Sequence, residues 1–209
     1  MDGVNPRGGW IEVITGGMFS GKSEELIRRV RRAEIARQRV QIFKPAMDDR
    51  FDLQRIVSRD NRGIDAISAN NTIEIRNNLV FGVRVVGIDE VQFFDDAIVD
   101  LCMELADAGV RVIAAGLDQD YRRKPFGPMP SLLAVAEYVS KMHAVCVRCG
   151  GPAHYSQRVA GGNSQIEVGD VSYEARCRQC YELYRASTSQ EGQEGEQEVK
   201  NRDNLTAIK

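Results

Sequence analysis

The segment Gly16-Gly17-Met18-Phe19-Ser20-Gly21-Lys22-Ser23 decides the fold. It satisfies the P-loop pattern G-x-x-x-x-G-K-[ST], and it lies between a β-branched run at residues 10–15 and a helical pattern at residues 23–38. In such a loop the backbone N–H groups surround phosphates, the lysine reaches the β- and γ-oxygens, and the Ser hydroxyl binds Mg²⁺. A chance glycine-rich turn that caps a helix is the alternative. We therefore predict that all eight residues bind ATP and that Ser23 binds Mg²⁺.

An acidic segment farther along the chain fits the same chemistry. Asp89 and Glu90 directly follow the apolar run Val85-Val86-Gly87-Ile88, as in a Walker B strand. Asp89 is predicted to hold Mg²⁺, and Glu90 to accept a proton from the attacking oxygen. The alternative is an acidic strand end that caps the next helix. These two motifs do not decide whether the attacking oxygen belongs to water or to a hydroxyl, so an ATPase and a kinase both remain open.

The rest of the first 141 residues alternates between strand and helix patterns. Strands are predicted at 40–43, 83–88 and 110–115, and helices at 95–108 and 131–141, whereas 48–78 is predicted to be mostly loop with a short helix. Such alternation is typical of βαβ units around a parallel sheet with helices on both faces. We therefore predict an α/β fold with a P-loop core at residues 1–141.

Four of the five cysteines form two C-x₂-C pairs. The pairs are Cys146 with Cys149 and Cys177 with Cys180, a ligand set typical of a tetrahedral structural Zn²⁺ site. The 27 residues from 150 to 176 exceed the usual spacing, so the loop between the pairs is predicted to have a further role. Redox-active thiols are the alternative. The fifth cysteine, Cys102, lies on an apolar helix face and is interpreted as a core residue.

A zinc site at the base of a long loop predicts a lid that closes over a substrate. A kinase needs such a lid to keep water from hydrolysing ATP, which favours a kinase over an ATPase. We predict a zinc-binding lid domain at residues 142–186. Residues 187–209 are poor in large apolar side chains and are predicted to be disordered.

Charge and hydropathy disfavour two classes of partner, nucleic acids and membranes. The 28 Lys and Arg residues against 30 Asp and Glu give a net charge of −2, which provides no general attraction for nucleic acid or anionic lipid. The arginine-rich stretch at 28–32 is accompanied by acidic residues and is interpreted as a solvent- or subunit-facing surface. No signal peptide and no apolar run of about 20 residues is present, so we predict a cytoplasmic protein without nucleic-acid or membrane partners.

Together these segments resemble the cytosolic-type, or type II, thymidine kinase family from about residue 9 to residue 181. The resemblance rests on the P-loop with residues 25–29, on Ile88-Asp89-Glu90-Val91-Gln92-Phe93-Phe94, on Gly116-Leu117-Asp118 followed by Lys124-Pro125-Phe126-Gly127, and on the two cysteine pairs. It implies a RecA-like core, a zinc-binding lid called the lasso, a homotetramer, and feedback inhibition by dTTP. It implies transfer of the γ-phosphoryl group of Mg·ATP to thymidine.

The resemblance also implies roles for individual residues. Glu90 matches the family's catalytic base, and Lys22, Ser23 and Asp89 match its ATP and Mg²⁺ residues. Gln92 is a supporting residue of the ATP site, and Asp48 and Arg50 fall in a mobile loop. The positions expected around the nucleoside are Met18, Phe93, Leu117, Tyr121, Phe126, Ser156, Arg158, Ile166, Glu167, Val168 and Tyr173.

Three positions depart from the family pattern. Tyr121 stands where Phe is frequent, Ser156 stands where Thr is frequent, and Ser58-Arg59-Asp60 lacks the histidine that commonly occupies the middle position. The first two are mild changes of shape near the base. Two other functions remain as alternatives: a DNA-acting ATPase with a zinc ribbon, which would need a basic stripe, and a nucleotide sensor, which would need no Glu90.

Overall fold

A computed structural model describes residues 8–46, 55–57, 63–160 and 173–182, with only the backbone at 55–57 and 63. The predictions for Asp48, Arg50, residues 58–60, residues 166–168 and the segment 187–209 lie outside these residues. The strands are β1 (Trp10–Thr15), β2 (Val40–Pro45), β3 (Arg55–Val57), β4 (Gly63–Asp65), β5 (Ile67–Ala69), β6 (Val85–Ile88), β7 (Arg111–Gly116), β8 (Tyr138–Lys141), β9 (Ala144–Val145), β10 (Pro152–Ala153), β11 (Tyr155–Arg158) and β12 (Tyr173–Arg176). The helices are α1 (Lys22–Ile35), α2 (Thr72–Asn78), α3 (Ala97–Asp107) and α4 (Met129–Val135), with a 3-10 helix at Val91–Phe93.

Six strands form one parallel sheet in the order β5-β2-β6-β7-β1-β8. The P-loop follows β1, and the Asp89-Glu90 pair follows β6, with only β7 between those two strands. Because parallel strands end at the same edge of a sheet, this order brings the two motifs together. The predicted α/β fold with a parallel P-loop core is confirmed.

Neighbouring residues along the central strand β1 pack into different cores, which shows that both faces of the sheet are covered there. Ile14 belongs to a cluster with Leu26 and Val30 of α1, whereas Val13 belongs to a second cluster with Leu101 of α3 and Leu132 of α4. The near-continuous apolar runs of β1, β6 and β7 are the sequence signature of such two-sided burial.

The helix predicted at 131–141 was wrong in its second half. Helix α4 ends at Val135, and Tyr138–Lys141 form β8, which pairs in parallel with β1. Tertiary contacts override the helical pattern here, because the Glu137 carboxylate accepts a hydrogen bond from the backbone N–H of Ile11 at 2.7 Å and draws the chain along the open edge of β1.

The region predicted to be mostly loop contains more regular structure than expected. Strand β5 extends the sheet beside β2, and β3 pairs with β4 as a hairpin. The short helix is confirmed as α2, whose N-terminus is capped by the Asn71 side chain. None of the described helices is both long enough and apolar enough to cross a membrane.

A buried ionic network joins β1 to α1 and β7. The Glu12 carboxylate, which is 7% exposed, accepts hydrogen bonds from Arg29, Arg111 and the Trp10 indole at 2.6–2.7 Å. Desolvation raises the pKa of Glu12, but hydrogen bonds from these partners outweigh it and hold the pKa below 4.5. The carboxylate therefore ties the central sheet to the helix that follows the P-loop.

We expect Glu12→Gln to lower the free energy of unfolding by about 3 kcal/mol at neutral pH, because the partly buried Arg111 loses its carboxylate partner and Arg29 keeps only Glu25. Since the folded pKa lies below the unfolded value, this stabilisation is present above about pH 4.5 and is lost as the pH falls through the folded pKa. The wild-type and variant curves should therefore converge in acid. Urea unfolding across pH measures this. Glu104→Gln, which breaks the exposed ion pair with Arg76, is the matched control and should change little.

Candidate active site

The P-loop adopts a conformation that two glycines make possible. Gly16 has φ 144° and Gly21 has φ 83°, the left-handed side of backbone space where a side chain is unfavourable. A Cβ at Gly16 would also lie 2.3 Å from the carbonyl oxygen of Met142. The Ser20 hydroxyl and the Lys22 ammonium both donate to the carbonyl oxygen of Gly17, at 2.8 and 2.9 Å. The loop is thus closed on itself at the start of α1, where backbone N–H groups and the helix dipole favour a phosphate.

The P-loop also contacts the part of the chain that carries the cysteines. The Met18 backbone N–H donates to the Ser156 hydroxyl at 2.9 Å, and Ser156 is buried in β11. A Cβ at Gly17 would lie 3.3 Å from the carbonyl oxygen of His154. Met18 and Ser156, two residues predicted to surround a nucleoside, are therefore brought together.

Ser23 and Asp89 meet beside the P-loop. The Ser23 hydroxyl donates to the Asp89 carboxylate over 3.4 Å, and Asp89 is 5% exposed. Burial and the neighbouring Glu90 charge raise the pKa of Asp89 to about 7. A hydroxyl and a carboxylate are the hard oxygen ligands that Mg²⁺ prefers, and a cation would relieve the buried negative charge. The two residues fit a Mg²⁺ site.

Glu90 is held in a backbone conformation that is uncommon for residues with side chains. Its φ is 46° and its ψ is 42°, at the start of the 3-10 helix. Its carboxylate accepts a hydrogen bond of 2.6 Å from the Gln92 amide, whose oxygen accepts from the Leu117 backbone N–H at 3.0 Å. A left-handed glutamate persists only where its surroundings enforce it, and such residues cluster at functional sites. The Gln92 amide thus holds the Glu90 carboxylate in place, directly after Asp89 in the chain.

Gln92 can take this position because two residues next to it are glycines. The sequence analysis did not identify these glycines as packing residues. A Cβ at Gly116 would lie 2.6 Å from the Gln92 amide oxygen, and a Cβ at Gly127 would lie 2.3 Å from its backbone carbonyl oxygen. Gly127 also has φ 48°. The sequence signal was present, since both glycines belong to the motifs that carry the family resemblance.

The aromatic residues form two contact groups. Phe93 and Phe126 pack edge to face with ring centroids 5.5 Å apart. In the second group, the Arg158 guanidinium lies 3.6 Å from the centroid of the Tyr121 ring and donates to the Tyr173 hydroxyl at 3.1 Å. Arg158 is only 1% exposed, so it organises this group from within. Ile166, Glu167 and Val168 lie outside the described residues, and their predicted contacts stay predictions.

The four cysteines of the two pairs come together. Their Sγ atoms all lie within 4.8 Å of one another, and those of Cys149 and Cys177 are 3.6 Å apart. Desolvation raises the pKa of the Cys146 thiol, but hydrogen bonds from backbone N–H groups outweigh it and lower the pKa to about 6. A thiolate in a four-sulfur cluster fits a metal such as zinc. The hairpins β9–β10 and β11–β12 hold this cluster next to the P-loop.

Comparisons with known proteins agree with these observations. A sequence model of the family described as "Thymidine kinase" matches residues 9–181. Proteins named thymidine kinase are similar to this chain in Bdellovibrio bacteriovorus, with 55% identity over 82% of this chain and 84% of the relative, and in Bacteroides thetaiotaomicron, with 52% identity over 84% and 88%. A third, from a Rhodothermus species, is 50% identical over 87% of this chain and 85% of the relative.

The matched range includes the P-loop, the Asp89-Glu90 pair and all four clustered cysteines. The family match and the relatives therefore agree with the kinase interpretation of these motifs. The chain belongs to the thymidine kinase family.

Proposed function

We propose that this protein transfers the γ-phosphoryl group of Mg·ATP to the 5′-hydroxyl of thymidine and gives dTMP. The observation that carries the proposal is the fixed position of Glu90, which lies beside the Mg²⁺-compatible pair Ser23 and Asp89 and is held by Gln92. Family membership supports a nucleoside as the acceptor.

The P-loop side of the site would bind and orient ATP. Its backbone N–H groups and the N-terminus of α1 attract the phosphates, and Lys22 adds a positive charge near the β- and γ-oxygens. Ser23 and Asp89 would hold Mg²⁺, which neutralises negative charge on the phosphates. The internal hydrogen bonds of the loop indicate that its closed shape is already formed without the phosphates.

Glu90 would perform the proton chemistry. As the 5′-oxygen forms its bond to the γ-phosphorus, its proton moves to the Glu90 carboxylate, and ADP leaves with the electrons of the broken P–O bond. The Gln92 amide donates to this carboxylate, so the base is oriented before the substrate arrives. An ATPase would need the same base for water, whereas the group Tyr121, Arg158 and Tyr173 has no evident use in hydrolysis.

The remaining family properties belong to the same proposal. We propose that the nucleoside lies among Met18, Leu117, Tyr121, Phe126 and Tyr173, that dTTP inhibits the enzyme, and that the protein acts as a cytoplasmic homotetramer. The RecA-like core at 1–141 with a lasso at 142–186 is the domain division that this proposal uses.

The test is phosphoryl transfer from Mg·ATP to a panel of deoxynucleosides, with kcat/KM compared for each. Thymidine should be the best acceptor. Deoxyuridine lacks only the 5-methyl group, and a methyl group in an apolar pocket contributes about 1–3 kcal/mol, so it should be about 5- to 150-fold weaker. Deoxycytidine and deoxyguanosine present different hydrogen-bonding edges and should be poor acceptors. Equal activity with deoxycytidine or with a purine would reject thymidine as the substrate.

We further propose that the cysteine cluster binds one Zn²⁺ per chain. Metal analysis of protein purified under reducing conditions should find zinc at one equivalent, and Cys149→Ala should lose it and melt at a lower temperature, because metal binding contributes to folding. Cys102→Ala is the control, since Cys102 lies on the buried face of α3 in the core and should leave zinc binding intact. Disulfides among the four cysteines instead of zinc would contradict this proposal.

A further inference from the structure

A tight turn at residues 120–124 carries Tyr121 between the core and the cysteine hairpins. The Asp120 carboxylate accepts hydrogen bonds from the backbone N–H groups of Arg122 and Lys124 at 2.8 and 2.9 Å, which closes the turn. Tyr121 itself is 4% exposed. Arg158 and Arg122 contact its ring, and hydrogen bonds within the turn fix the shape of the turn but do not join it to the cysteine hairpins. The position of Tyr121 therefore depends on what holds the turn.

Arg123 holds the turn through its side chain. Its guanidinium carbon lies 4.7 Å from the ring centroid of Tyr181 and 5.6 Å from that of Tyr155. These two rings are themselves 5.2 Å apart, so one cation contacts two aromatic faces of the cysteine hairpins. The backbone at Arg123 has φ 63°, an unfavourable value for a residue with a side chain. The unfavourable backbone angle and the two cation–π contacts therefore occur at the same residue.

Tyr181, which lies on the side of the cysteine hairpins, contacts the same turn. Its hydroxyl donates to the backbone carbonyl oxygen of Tyr121, and its own backbone N–H donates to the carbonyl oxygen of Cys177 at 3.0 Å. Tyr181 directly follows Cys180, the last cysteine of the cluster. One residue thus connects the cysteine cluster with the backbone of a residue expected to contact the nucleoside.

We propose that Arg123 and Tyr181 are positioning residues that fix Tyr121 in the nucleoside pocket, an inference that rests on the proposed thymidine kinase activity. In the part of the chain that the structure describes, their ring contacts and the Tyr181 hydroxyl bond lie in the turn and the cysteine hairpins rather than in the P-loop or the Asp89-Glu90 pair. Their loss should therefore weaken nucleoside binding and leave the ATP site unchanged. This separation distinguishes positioning from a general contribution to stability.

Three variants separate the contributions. Tyr181→Phe keeps the ring and removes the hydrogen bond to Tyr121. Arg123→Gly favours the left-handed backbone but removes the guanidinium, whereas Arg123→Lys keeps a cation. Tyr181→Phe and Arg123→Gly should each raise the KM for thymidine about threefold to tenfold, with kcat, the KM for ATP and the zinc content within twofold of wild type. Arg123→Lys should restore part of the loss.

Arg76→Met, which removes an exposed arginine of α2, is the control and should leave both KM values unchanged. The KM of the wild-type protein for thymidine and a direct calorimetric measurement of thymidine binding complete the experiment. If Arg123→Gly matches wild type, the side chain does not position the turn, and the inference is wrong. Parallel increases in both KM values would also overturn it, because they would indicate general loosening. A wild-type protein without thymidine kinase activity would instead reject the proposed function before any variant is compared.

Discussion

Glu90→Gln is expected to reduce kcat by about 10²–10⁴-fold, because an amide keeps the shape of the side chain but cannot accept the proton of the 5′-hydroxyl. The loss should appear in kcat rather than in ATP affinity. Glu90 raises the pKa of Asp89, so removal of its charge lets Asp89 ionise more readily and does not weaken a Mg²⁺ site. Single-turnover rates and ATP binding, measured on the same preparation, separate the two effects.

The control for this substitution is Glu104→Gln, which removes a carboxylate of the same type from an exposed ion pair on α3. It should retain wild-type kcat. A Glu90→Gln protein that keeps more than about a third of wild-type kcat, with ATP affinity unchanged, would show that Glu90 is not the base. The left-handed backbone of Glu90 would then need another explanation, such as the packing of the 3-10 helix.

Predictions from the sequence succeeded where local pattern and tertiary structure agree. The strand before the P-loop was placed at residues 10–15 and is observed as Trp10–Thr15. Its β-branched composition, burial on both faces and the following glycines all favour the same structure. The cysteine pairs were equally informative, since two C-x₂-C hairpins bring their sulfurs together regardless of the distance between them in the sequence.

The failures occurred where a distant contact decides local structure. Residues 138–141 look like the end of a helix until the open edge of β1 and the Glu137 side chain are considered. Arg123 and Tyr181 were also missed, because a cation–π contact across 58 positions leaves no periodic signal. Gly127 lay inside a recognised motif, yet only its contact with Gln92 shows why a side chain is not tolerated there.

The second large loss of activity is expected from a substitution in the phosphate site. We expect Lys22→Met to lower kcat/KM by about 10²–10³-fold, because the positive charge near the transferring phosphoryl group is lost. Lys22 is the first residue of α1 and is 8% exposed, and its ammonium donates to the carbonyl oxygen of Gly17 at 2.9 Å. The ammonium is therefore already placed over the loop that would bind the phosphates.

Methionine is suited to this test because it is unbranched, of similar length and apolar, so the buried stem of Lys22 keeps its packing. The melting temperature should change little while turnover falls. Arg28→Met on the same helix removes the same charge from an exposed ion pair with Glu25, and it controls for the change in net charge. Steady-state kinetics with Mg·ATP and thymidine give the comparison. If Lys22→Met and Arg28→Met have equal activity, electrostatic stabilisation by Lys22 is not part of the mechanism, and the phosphates must be held by backbone N–H groups and Mg²⁺ alone.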